Sequence, residues 1–114
     1  MVALKNIQLF QIPPHFRIVT AQPGQIVSRT LAQTPAVSLT LFAFAKGEEI
    51  STHESRGDAL VQVLEGVGRF TVDGVDYMCR AGESLVMPAQ KPHAVYGEED
   101  FKMLLTVVFP PEEL

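Results

Sequence analysis

The residues with the widest chemical reach in this chain are three histidines, one cysteine and a scatter of carboxylates. Two of the histidines sit in stretches bounded by glycine. His53 lies in the run Gly47 to Gly66, GEEISTHESRGDALVQVLEG, and His93 in the run Gly82 to Gly97, GESLVMPAQKPHAVYG. An imidazole in such a place can work as an acid or base near neutral pH, or be hydrogen-bonded into a wall as a structural group. Ser55 adds a hydroxyl two residues beyond His53. Glu54, Arg56 and Asp58 cluster around Gly57 and read as a solvated loop. His15 follows Pro14 and reads as a surface residue. Cys79 stands alone in an apolar strand pattern, where a thiol serves as a small core group. Met78, Met87 and Met103 occupy similar patterns and read as core filling.

The elements that must hold these groups are strands. Period-two alternation and turn punctuation run through the chain, and sustained helical-period stripes are absent. Strand signals cover Asn6 to Ile12, stopped by Pro13-Pro14, then Phe16 to Thr20, ended by Gln22-Pro23-Gly24. Gln25 to Leu31 and Val37 to Ala45 follow. The second of these becomes apolar on both faces towards its end, as expected where one face meets the core and the other is covered. Beyond Gly47, signals appear at Glu49 to His53, Ala59 to Leu64, Gly68 to Val72, Val75 to Arg80, Ser84 to Pro88, His93 to Tyr96 and Lys102 to Phe109. Asp73-Gly74, between FTV and VDYM, is the strongest hairpin signal, because both residues tolerate positive backbone φ. Gly47, Gly66 and Gly82 are expected at turns as well. Many short strands at such spacing make a sandwich or barrel, and Pro110 to Leu114 reads as a tail.

The bulk properties narrow the function classes. A chain of 114 residues reads as one domain, and at this size folding hides roughly two thirds of the unfolded surface. The net charge of -4, with both signs interspersed, offers no basic stripe for a phosphate backbone, so no nucleic-acid partner is expected. One cysteine cannot form an internal disulfide, which fits a reducing compartment. The N-terminus lacks the features of a signal peptide, and the most apolar run, Ala36 to Ala45, is too short to span a bilayer. The expectation is a soluble cytoplasmic protein with no membrane partner.

The two glycine-bounded runs together resemble the paired signature motifs of the cupin superfamily. In the first motif, over residues 47–66, Gly47 is followed after five residues by His53, and Gly66 closes the run. Ser55 then stands at the second histidine position and Ala59 at the glutamate position. In the second motif, over residues 82–97, Gly82, Pro88 and His93 agree with the pattern, while Gln90 and Gly97 depart from it at a glycine and an asparagine position. The resemblance implies an all-β fold, a cupin-type antiparallel β-barrel or jelly roll, filling residues 1–114 as a single domain. It also resembles short prokaryotic cupins that lack the full ligand set, and related cupins imply a homodimer. An N-terminal strand, Ile7 to Ile12 or Phe16 to Thr20, is the candidate to pair across that interface.

The resemblance brings His53 and His93 into one pocket, with Ser55 beside them as a third ligand-binding group. A cupin metal site takes three histidines and one glutamate, and this chain supplies His53 and His93 as an incomplete set. No cofactor is expected, and a divalent transition metal would be held only weakly, with water, Glu54, Asp58 or Cys79 as supplementary donors. Period two argues against Glu54, which should face away from His53. Two function classes follow. One is a metal-poor module that binds a small molecule inside the barrel. The other is a metal-dependent or histidine-based enzyme of oxygenase or isomerase type.

Overall fold

A computed structural model describes residues 3–6 and 19–111, and these form nine strands and no helix. In chain order they are β1 Ile26–Gln33, β2 Val37–Phe44, β3 Glu49–His53, β4 Asp58–Glu65, β5 Val67–Val72, β6 Val75–Arg80, β7 Ser84–Met87, β8 His93–Gly97 and β9 Phe101–Val108. Each of the nine strand signals from Gln25 onwards became a strand, with ends displaced by one or two residues. The strands expected at 6–12 and 16–20 fall mostly outside the described residues, as does His15; Asn6, Val19 and Thr20 are described and lie in no strand. Among the described residues there is no helix long and apolar enough to cross a membrane.

All pairings are antiparallel, in a five-stranded sheet ordered β1-β2-β9-β4-β7 and a four-stranded sheet ordered β3-β8-β5-β6. This is the jelly-roll arrangement that the alternation predicts. Between the sheets lies the main core, where Phe101 stacks on Phe44 at 4.7 Å between centroids and meets the edge of Phe70 at 6.0 Å. These three rings are fully buried, and burying each contributes roughly 1.5–3 kcal/mol.

The doubly apolar character of β2 has a direct cause in this packing. Phe42 and Phe44 point into the main core, while Leu41 and Ala43, on the alternate face, join a second cluster with Val19 and Leu31 outside the five-stranded sheet. Val19 and Ala21, from the segment preceding β1, help cover that outer face.

Turn chemistry follows the expected positions. Asp73 and Gly74 take φ of 50° and 82°, which gives the two-residue β5–β6 connection the hand that matches strand twist. Gly47, Gly66 and Gly82 also have positive φ. Gly66 is the tightest, because a Cβ there would overlap the carbonyl oxygen of Asp100 and meet Cα of Phe101 at 2.9 Å. Met78 departs from the core reading. It is 45 % exposed on β6, the edge of the four-stranded sheet, where one face has no second layer against it.

Candidate functional site

The two motif histidines meet because of an irregularity in β3. Ile50 pairs with Val95, yet His53 pairs with His93, so three steps along β3 answer two steps along β8. One-for-one counting would set Thr52 against His93 and turn His53 to the opposite face. The extra residue is a β-bulge, a device that re-aims a side chain. It restores His53 to the face that carries Ile50, Val95 and His93. The two imidazoles consequently stand 4.2 Å apart between centroids in an edge-to-face arrangement.

Backbone carbonyls orient both rings. His53 Nδ1 donates to the Ser51 carbonyl oxygen at 2.9 Å, and His93 Nδ1 donates to that of Lys91 at 3.1 Å. A carbonyl only accepts, so each contact requires the proton on Nδ1, and the Nε2 of a neutral ring is left as an acceptor. The two residues differ in environment. His53 is exposed at the rim, whereas His93 is 3 % exposed. Burial, reinforced by the neighbouring His53, pushes the His93 pKa below its ordinary value despite the opposing effects of the Lys91 carbonyl and Glu54.

Both histidines line a cavity of about 250 Å³ between the sheets. Its remaining wall is largely apolar, with Phe42, Ile50, Val95, Met103, Leu105 and Val107 among the lining side chains. Ser55 and Ala59 line it too, so all four motif positions open onto one space. Met87 and Met103 are buried as core residues, as expected, and also form part of this wall. Cys79 is buried elsewhere, and desolvation, followed by the nearby Glu83, raises its pKa. It contributes nothing to the cavity lining.

One sequence expectation about the loop after β3 needs correction. Glu54 does not face away from the cavity but lines it, because β3 ends at His53 and strand periodicity no longer governs the next side chain. The cluster around Gly57 is exposed, as a solvated loop should be, yet it also ties the two motifs together. Asp58 Oδ1 accepts from the Ala89 amide at 2.8 Å, the Ser55 carbonyl accepts from the Gln90 amide at 2.8 Å, and the Arg56 guanidinium lies 4.5 Å from the Phe109 ring centroid. Ser55 Oγ accepts from the Gly57 amide at 3.3 Å. Gln90, at a position where the motif has glycine, takes a positive φ of 62° without one.

The donor set falls short of a three-histidine, one-carboxylate metal site. Among the described residues no group of three or more histidine, cysteine, aspartate or glutamate side chains is placed to hold an ion. Ser55 is a neutral hydroxyl and Ala59, paired with Met87 across β4 and β7, presents a methyl group. The site offers two imidazoles, one hydroxyl and the Glu54 carboxylate against a largely hydrocarbon wall.

Comparison with known proteins agrees with this architecture. The chain is 39 % identical to a conserved protein of unknown function from Streptococcus pyogenes, with 98 % of each chain covered and a TM-score of 0.95. It is 34 % identical to a cupin superfamily protein from Desulfitobacterium hafniense, over 96 % of this chain and all of that one, with a TM-score of 0.90. A cupin 2 conserved barrel domain protein from Leptotrichia buccalis is 47 % identical over 80 % of this chain and 44 % of its own, with a TM-score of 0.78. No curated protein matches. The family model of the cupin domain matches residues 40–109, from β2 to the end of β9 and through both histidines, and the chain belongs to the cupin family.

Proposed function

We propose that this cupin binds a small molecule inside its barrel, at His53, Ser55 and His93, without a tightly held metal. The observation that carries the reading is the meeting of His53 and His93 on one wall of a largely apolar cavity. Binding sites of this kind combine a hydrophobic lining with a few placed polar groups. Backbone carbonyls orient both rings, and the carboxylate partner that would complete an acid–base pair is not what holds either Nδ1.

The test joins elemental analysis of protein purified without a metal-binding tag to a fragment screen by thermal shift. A metal-poor protein stabilised by cavity-sized fragments, with the stabilisation lost in Ala59→Phe, supports the reading. Stoichiometric, tightly held metal in the parent overturns it and favours the enzyme class.

Association into a homodimer is also proposed. Its support is the open edge of each sheet, where Val75, Tyr77 and Met78 of β6 and Val86 of β7 are 44–56 % exposed, since unpaired apolar edges favour pairing with another chain. Sedimentation as a monomer at micromolar concentration refutes it.

A further inference from the structure

The hydrogen-bonding polarity of the cavity selects among ligands. Ser51 and Lys91 carbonyls fix the proton of each ring on Nδ1, so His53 and His93 both offer Nε2 as an acceptor. Ser55 contributes a hydroxyl whose oxygen already accepts from the Gly57 amide, leaving its proton as the donor of the set. Among the described residues no lysine or arginine lines the cavity, and the charged group that does is the carboxylate of Glu54. A ligand carboxylate would therefore bring lone pairs and negative charge to a site that already presents both. A purely apolar guest would cover the imidazole acceptors without pairing them, which penalises it.

Resting on the small-molecule reading above, we infer that the ligand class is a compact apolar body bearing a hydroxyl or amine donor, neutral or cationic, and that carboxylates are rejected. The donor reaches the imidazole pair while the Ser55 hydroxyl meets the ligand oxygen or nitrogen. Size agrees with a single substituted ring, because the cavity of about 250 Å³ exceeds the roughly 150 Å³ that takes benzene.

The experiment titrates the labelled full chain with phenol, toluene, benzylamine and benzoate at about pH 7.5, above the ordinary imidazole pKa of about 6.5, following cavity methyl resonances and the long-range ¹⁵N spectrum of the rings. Phenol is expected to bind about tenfold more tightly than toluene, the fold-change of one net hydrogen bond, and benzoate more weakly than either. His53→Phe, at an exposed position, should reduce the phenol preference while toluene still binds, and His93→Phe should do the same if it folds. Toluene equal to phenol, benzoate binding most tightly, or ¹⁵N shifts that put the proton on Nε2 of both rings would each overturn the inference while leaving the pocket reading intact. If none of the four probes moves a cavity resonance, the pocket reading fails and takes the inference with it.

Discussion

Restoring the missing donors is the sharpest test of how the site is built. In the variant Ser55→His, Ala59→Glu, both new side chains start from positions that line the same cavity as His53 and His93, so three imidazoles and a further carboxylate converge where two imidazoles stand now. Ala59 is 2 % exposed, and a carboxylate placed there without a partner costs several kcal/mol if it stays ionised. The metal-free variant should accordingly unfold at a lower temperature than the parent. Added Mn, Ni or Zn at a hundred times the dissociation constant then contributes about 2.7 kcal/mol, equivalent to a rise of roughly 10 °C in Tm for a domain of this size. The assay is thermal unfolding with and without metal, in parent, variant and variant carrying His93→Ala. The parent should shift little, the double variant by the full amount, and the triple variant by much less. An equal shift in the parent would show that two imidazoles already hold the ion. A folded double variant with no shift would show that the four positions do not converge.

Three further outcomes follow from the geometry. Gly66→Ala should be severely destabilising in urea unfolding because its Cβ overlaps the Asp100 carbonyl, whereas Gly74→Ala, with no atom within 4 Å, should cost only the positive φ, about 1–2 kcal/mol. Because burial lowers the His93 pKa below the unfolded-chain value, the unfolded state binds the proton first as pH falls. Stability should therefore drop as pH falls from about 6.5 towards the folded-state pKa, then level off, and His93→Gln should remove that decrement from urea midpoints measured across the range. Deleting Thr52 removes the extra residue of the bulge, so regular pairing from Ile50–Val95 carries His53 directly onto His93 on the same face; persistence of the inter-histidine NOEs, in a chain that keeps its β spectrum, is the expected sign, and their loss would refute the bulge account.

The sequence alone determined the architecture to within a residue or two from Gln25 onwards, because each strand's pattern is local. Asp73-Gly74 needs no tertiary context to form its turn, and Gly47, Gly66 and Gly82 mark the others by their tolerance of positive φ. The motif spacing also named His53, Ser55 and His93, together with the donors missing at Ser55 and Ala59. What remained for the tertiary structure was orientation. Strict alternation cannot reveal the bulge at Ser51–Thr52, since whether one strand carries an extra residue depends on the register of its partner, and that register alone sets His53 opposite His93. Met78 shows the same limit from the other side. Its strand pattern suits a core residue, but β6 became a sheet edge, and only the order of strands decided that its side chain is exposed. Glu54 faces the cavity because β3 ends one residue before it, a boundary fixed by pairing with β8 rather than by composition.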